Sequence, residues 1–280
     1  MESYVFIAVL CAAACHAGWN ALVKVGFDPL SATTSIAIAA AALSFLCLPF
    51  AGMPAVQVWP WFATSAIIHL LYFAALIESY RTGDLGQVYP IARGSAPLMT
   101  AIVGAVFVGE QLNLLGWSGI ATLAAGVLLM STGGWQKQQP NRRSIGYALL
   151  TAVTICGYSV TDGIGVRLSE NPPAYVLLLF VVNAMVLLSY GLWLDRNSVM
   201  LAMRRLSLRG FAGGALQVLS YGIVLWAMTI APIAIVASLR ESSVLFSVII
   251  ATLGLKEPLR TARLAAATLI LMGLVLLRLQ

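Results

Sequence analysis

Ten long apolar runs divide the sequence, and their length decides what kind of fold the chain can adopt. A helix that crosses the hydrocarbon core of a bilayer needs about 20 mostly apolar residues. Strands of a membrane barrel would instead alternate apolar and polar residues over about ten positions. We therefore predict an all-α membrane protein with ten transmembrane helices. The runs cover residues 3–24, 31–51, 59–80, 86–108, 112–133, 145–166, 174–194, 210–230, 232–254 and 261–279.

The composition of the chain excludes a soluble alternative. Of 280 residues, 60% are hydrophobic and 9% are charged, and the mean hydropathy is +0.92. Soluble domains carry about 25% charged residues, because they must present a polar surface to water. Lipid is therefore the expected environment of this multi-pass chain.

The positions of the basic residues predict an orientation. Lys and Arg in membrane proteins concentrate in short cytoplasmic loops. Connections after the first, third, fifth, seventh and ninth runs hold twelve of them, whereas the opposite side holds only Arg167 and Arg278. Both termini are thus predicted outside, with the basic loops inside. The net charge of +6 is a topology signal, and we predict no nucleic-acid partner.

The second half of the sequence aligns with the first after a shift of 147 residues. This alignment matches rare charged residues as well as common apolar ones. Each copy would contain five helices, an odd number, so the second copy enters the membrane inverted. We predict two inverted five-helix repeats, residues 1–140 and residues 141–280. The aligned pairs include Arg93 with Arg240, Ser95 with Ser242, Glu110 with Glu257 and Gly126 with Gly273.

Several segments resemble a known transporter family. HAGWNALVK in the first run and YPIARGSAPLMTAIVGAVFVGEQL in the fourth and fifth runs are similar to the ten-helix, EamA-type branch of the drug/metabolite transporter superfamily. The GE and KE turns before the last helix of each half resemble it too. The resemblance covers nearly the whole chain and implies a bacterial inner-membrane location. It also implies a cavity lined by the first, third, fourth, sixth, eighth and ninth helices, and it is strongest toward aromatic amino-acid exporters.

Polar and aromatic side chains occur at mid-depth in the same six runs. In the first run, His16, Trp19 and Asn20 are spaced so that they share one helix face. The second, fifth and tenth runs carry almost no strongly polar residue at mid-depth. The predicted substrate-binding residues are His16, Trp19, Asn20, His69, Tyr72, Tyr89, Arg93, Tyr158, Asp162, Gln217, Tyr221 and Arg240.

Arg93 and Arg240 admit two interpretations. Arginine at the centre of a membrane helix costs roughly 2.5–3.5 kcal/mol, so a compensating interaction is expected. Either the guanidinium groups bind a substrate carboxylate, or they pair with carboxylates and helix-end carbonyls and hold the halves together. Both interpretations stay open at this point. Glu110 and Glu257 are predicted to open the fifth and tenth helices, where an acid stabilises the helix N-terminus.

The sequence and the resemblance together predict an exporter of amino acids or related small metabolites that works by alternating access. Alternatives are the uptake or exchange of another small solute, such as a quaternary amine, sugar or phosphonate, or a membrane protein without transport activity. No H-E-x-x-H, G-x-S-x-G or G-x-x-x-x-G-K-[ST] pattern occurs. We therefore predict no enzymatic activity, no cofactor and no metal, and a monomer whose partners are a small-molecule substrate and the lipid bilayer.

Overall fold

The computed structural model describes residues 1–24, 29–83, 85–130, 141–204, 206–250, 252 and 261–280. Helices joined by short connections make up these ranges. A 3₁₀ turn at Val56–Val58 precedes α3, and a π-helical turn at Gly104–Val108 extends α4. The helices are α1 Ser3–Lys24, α2 Pro29–Ala51, α3 Trp59–Thr82, α4 Leu85–Val103, α5 Leu114–Leu129, α6 Arg142–Leu168, α7 Pro172–Leu194, α8 Arg196–Arg204, α9 Leu208–Ile230, α10 Ile233–Arg240, α11 Ser243–Ile249 and α12 Thr261–Leu279.

The predicted helical membrane fold is confirmed for the described residues. Eight of their helices are long and apolar enough to cross a membrane, and α5 is a shorter apolar helix. α10 and α11 together occupy the ninth predicted run. The count of ten transmembrane helices stays a prediction, because residues 131–140, 251 and 253–260 lie outside the described residues. The KE turn with Glu257 falls among them.

The ninth run is not the continuous helix that its hydropathy predicts. α10 ends at Arg240, and α11 begins only at Ser243. Between them the amides of Glu241 and Ser242 donate to carbonyl oxygens three residues earlier, each at 3.0 Å, as in a 3₁₀ turn. The interruption therefore sets Arg240 and Glu241 on a short turn within the bundle.

The helices pack in pairs that join the two halves of the chain. α3 lies along α6, α1 along α9, α2 along α7, and α5 along α12. The α2–α9 contact is close because Gly214 has no side chain: a Cβ atom there would lie 2.6 Å from the backbone nitrogen of Ala40. Small residues permit such backbone approach in membrane bundles.

We expect Gly214→Ala to destabilise the protein by about 1–3 kcal/mol, because the new methyl group must push α2 and α9 apart. Gly146→Ala on α6 is the matched control, since a Cβ atom at that position would have nothing within 4 Å. Thermal unfolding in detergent micelles compares the two variants. Equal melting temperatures for G214A and the wild type would contradict the close approach of α2 and α9.

Candidate functional site

Two buried arginines share one carboxylate at the centre of the bundle. Nε of Arg93, on α4, lies 2.8 Å from Oε2 of Glu241, and Nη2 of Arg240 lies 3.6 Å from Oε1 of the same residue. Arg93 is 6% exposed, Arg240 3% and Glu241 1%. We call these three residues the cationic pole, because they carry two positive charges and one negative charge.

A histidine and two tyrosines complete the surroundings of this pole. Nη2 of Arg93 lies 3.3 Å from Nε2 of His16 on α1. Since a guanidinium only donates, Nε2 of His16 accepts this hydrogen bond. The guanidinium carbon of Arg93 lies 5.9 Å from the ring centre of Tyr89, and that of Arg240 lies 5.8 Å from the ring centre of Tyr158. Aromatic faces stabilise cations at such distances.

A buried carboxylate forms a second, anionic pole at Asp162 on α6. Asp162 is fully buried. The hydroxyl group of Tyr221 donates to its Oδ2 at 2.7 Å, and that of Tyr175 donates to its Oδ1 at 3.4 Å. Both partners are neutral side chains, so they satisfy hydrogen-bonding capacity without neutralising the charge.

Aromatic rings connect the two poles. The ring of His69 stacks on Tyr158 with the centroids 4.5 Å apart, and Tyr72 packs edge-on against Tyr158 at 5.7 Å. Tyr221, which binds Asp162, packs against Tyr158 at 6.3 Å. Nδ1 of His69 lies 2.9 Å from the carbonyl oxygen of Ser65, so this nitrogen carries a proton. Tyr158 therefore contacts Arg240 of the cationic pole and Tyr221, the residue that donates to Asp162.

The structure brings ten of the twelve predicted residues together through these contacts, if Trp19 is included through its packing at 5.2 Å on His16. Asn20 and Gln217 are the exceptions. The amide of Asn20 donates to the carbonyl of His16 within the same helix at 2.8 Å. Oε1 of Gln217 is buried without a hydrogen-bond partner among the described residues. Among the described residues, no hydrogen bond joins either side chain to Arg93, Arg240, Glu241 or Asp162.

Three members of the cluster are not among the twelve predicted substrate-binding residues: Glu241, Tyr175 and Ser65. Glu241 had a visible signal, because an acid beside Arg240 in an apolar run needs a partner. Tyr175 stands near the start of a run, where position alone indicates an interfacial aromatic. It is instead fully buried, stacked on Phe62 at 4.4 Å and bound to Asp162.

The prediction that Glu110 opens the fifth helix is wrong. Its carboxylate caps α10 instead. Asn113 caps α5 by accepting from the amide of Gly116 at 2.9 Å. The Glu110 carboxylate accepts from the amides of Ile233 and Ala234 at 2.6 and 3.1 Å, at the start of α10. The helix N-terminus attracts this charge, and Pro232 before it offers no side-chain cap. Glu110 thus links the two halves of the chain.

Arg167 at the end of α6 extends this link. Its Nη2 lies 3.2 Å from Oε1 of Glu110. Its Nε donates to the carbonyl of Met228 at 2.7 Å, and Nη2 donates to the carbonyl of Ala231 at 3.0 Å. The guanidinium group of Arg167 therefore joins the loop before α5 to the end of α9. By the loop charges, all these groups lie on the predicted outer face.

We expect Glu110→Ala to lower the free energy of unfolding by about 2–4 kcal/mol, because it uncaps α10 and leaves Arg167 without its carboxylate. Glu78→Ala is the control. It removes an ion pair of the same kind with Arg81 at 2.9 Å, but on the surface, where such pairs contribute below about 1 kcal/mol. Chemical or thermal unfolding in detergent measures both variants. Similar losses for the two would show that the Glu110 contacts add nothing beyond a surface pair.

Two cavities lie away from the polar cluster. One, of about 420 Å³, opens between α3 and α7, and the other, of about 170 Å³, lies beside Met1 and Pro232. Neither has a residue of the two poles in its lining. In this conformation the charged side chains of both poles are buried.

An apolar helical bundle with buried charges at its centre defines a multi-pass membrane protein with an internal polar site. The sequence profile of the EamA-like transporter family matches residues 3–132 and again residues 142–279. The chain belongs to the EamA-like transporter family, within the drug/metabolite transporter superfamily. The family resemblance drawn from the sequence is thereby confirmed.

Relatives with curated sequences are similar over parts of the chain. An "Uncharacterized transporter in cobO 3'region" from Sinorhizobium sp is 36% identical over 75 residues, which are 27% of this chain and 52% of that protein. An "Uncharacterized protein y4nH" from Sinorhizobium fredii is 30% identical over 89 residues, covering 31% and 74%. The chain therefore spans about half the length of the first of these relatives.

A solved crystal structure, described as "Crystal structure of protein", has the same fold. Its TM-score is 0.75 at 17% sequence identity, and the match covers 100% of this chain and 99% of that one.

Proposed function

We propose that this protein exports amino acids or related small zwitterions across the bacterial inner membrane. The separation of opposite charges in its polar cluster carries this proposal. The cationic pole holds two arginines against one glutamate, and Asp162 is bound by uncharged hydroxyl groups. One surplus positive charge and one surplus negative charge complement a carboxylate and an ammonium group.

Aromatic side chains between the poles favour a substrate with an apolar body. Tyr72 and Tyr221 each pack edge-on against Tyr158, and Trp19 lies beside His16. Such rings combine a large apolar surface with polar edges. They suit an aromatic or large aliphatic amino-acid side chain, in agreement with the resemblance to aromatic amino-acid exporters.

Alternating access between two inverted repeats, residues 1–140 and 141–280, is the proposed mechanism. In the proposed repeats α1 corresponds to α6, α2 to α7, α3 to α9 and α5 to α12. Exchanging the halves therefore turns the α3–α6 pair into the α1–α9 pair. The same exchange leaves the α2–α7 and α5–α12 pairs unchanged. The observed packing supports this relation. The interrupted helix at Glu241 and Ser242 supports it too, because transporters of this kind form their sites at discontinuous helices near the midplane. The closed cluster then opens to each side in turn.

Reconstitution into proteoliposomes tests the proposal. We expect counterflow of L-phenylalanine or L-leucine, and much weaker counterflow of phenethylamine and 3-phenylpropionate, which each lack one charged group. Efflux from cells that overproduce the protein tests the direction. Equal transport of 3-phenylpropionate would exclude a role for the anionic pole. Transport of a phosphonate or quaternary amine instead of any amino acid would favour the alternative solutes and overturn the proposal.

A further inference from the structure

Glu241 occupies the position beside Arg93 and Arg240 where a substrate carboxylate would bind. We propose that Glu241 is a built-in counter-ion: its carboxylate pairs with Arg93 and Arg240 when no substrate is bound, and the substrate carboxylate displaces it. This inference rests on the proposed function, and it adds the residue that lets the unloaded carrier return.

The contacts of Glu241 suit a group that is exchanged. Among the ion pairs of the described residues, it is the one carboxylate paired with either arginine of the cationic pole. Nε of Arg93 and Oε2 of Glu241 lie 2.8 Å apart, yet neither atom takes part in an aligned hydrogen bond. Nη2 of Arg240 is farther away, at 3.6 Å. The Glu241 carboxylate is therefore attracted to both arginines but forms only weak directional hydrogen bonds with them. A substrate carboxylate with better geometry can compete for the same guanidinium groups.

The backbone at Glu241 suits a side chain that moves. Glu241 and Ser242 form the 3₁₀ turn between α10 and α11, outside continuous α-helical hydrogen bonding. Turns of this kind within a helical run often mark hinges. A small rotation of this turn withdraws the carboxylate from Arg93, whereas Arg93 itself is fixed within α4.

A carrier must pass through a closed state both with and without its substrate. Burying two arginines with no carboxylate beside them is strongly unfavourable, because each charge loses its hydration. The structure shows that Arg93, Arg240 and Glu241 can be buried together. With substrate bound, the substrate carboxylate fills this place. Without it, Glu241 is the carboxylate of the described residues that pairs with these arginines, so the proposal makes Glu241 necessary for the unloaded return and dispensable for the loaded step.

Two transport modes separate these steps. In exchange, substrate is present on both sides and the carrier moves loaded in each direction. In net efflux from loaded vesicles, the carrier must return unloaded. We expect Glu241→Gln to keep exchange of labelled L-phenylalanine, or of whichever panel amino acid the wild type transports, and to lower net efflux by about 100-fold or more. The KM for exchange should fall by about tenfold, since an intramolecular competitor is removed.

Glu78→Gln is the matched control, because it neutralises a carboxylate that pairs with Arg81 outside the polar cluster and should retain both modes. Glu241→Asp keeps the charge on the same turn and should recover net efflux relative to E241Q. Loss of net efflux alone in E241Q supports the inference. Retention of both modes in E241Q overturns it and leaves the proposed function standing. Loss of both modes in a variant with wild-type gel-filtration behaviour also overturns it, because Glu241 would then build the site. A wild type that exchanges no amino acid overturns the proposed function, and the inference with it.

Discussion

Replacing Arg93 with glutamine should lower amino-acid transport by about 100-fold or more. Arg93 contacts Glu241, His16 and Tyr89 at once. Breaking a buried ion pair by removing one partner costs about 3–5 kcal/mol, because the remaining charge stays buried. Part of this loss will appear as lower thermal stability, and the rest as weaker substrate binding.

Arg93→Lys and Arg142→Gln make this prediction specific. Lysine keeps the charge but lacks the planar fork that holds a carboxylate and His16 together, so we expect it to restore only a minor fraction of transport. Arg142 is an exposed arginine at the start of α6, and its replacement should leave transport unchanged. The measurement is the initial rate of counterflow per amount of reconstituted protein. Wild-type transport rates in R93K would show that Arg93 contributes only its positive charge and that the planar shape of its guanidinium group is not needed.

Replacing Asp162 with asparagine should change what the protein transports. The amide keeps a hydrogen-bond acceptor for the hydroxyl of Tyr221 and nearly the same volume, but it removes the negative charge. We expect transport of L-phenylalanine to fall by about 100-fold, because the ammonium group loses its partner in a water-poor site. The relative rate for 3-phenylpropionate should rise, since that solute has no ammonium group to place.

Tyr175→Phe is the control for Asp162. It removes the longer of the two hydroxyl contacts, at 3.4 Å, and keeps the ring that stacks on Phe62. A neutral hydrogen bond contributes about 1 kcal/mol, so less than about a tenfold loss of transport is expected. Competition assays with both solutes measure the preference. An equal loss for L-phenylalanine and 3-phenylpropionate in D162N would assign Asp162 a structural role.

Hydropathy and rare polar residues were sufficient to predict the helical membrane fold and most residues of the cluster. A charged group in an apolar run is costly, so Arg93, Asp162 and Arg240 had to face the interior of the bundle. Their neighbours Tyr158 and Tyr221 followed from helical spacing. These predictions depend on one helix at a time, and for that reason they needed no knowledge of how the helices pack.

Contacts between distant segments could not be predicted in this way. The break at Glu241 occurs without proline or glycine, and it places Glu241 beside Arg93 on another helix. Glu110 caps a helix that begins 123 residues later. α8 buries Val199 and Ala202 against its neighbours. It is only nine residues long, so it does not form a membrane-length apolar run that would predict it.

The turn that carries Arg240 and Glu241 places opposite charges on consecutive residues. When this turn moves, one positive and one negative charge travel together over nearly the same distance. A membrane potential does work of about 2.3 kcal/mol on each elementary charge that crosses 100 mV, but opposite charges moving together cancel this work. We therefore expect the motion proposed for this turn to proceed at nearly the same rate in energised and de-energised membranes.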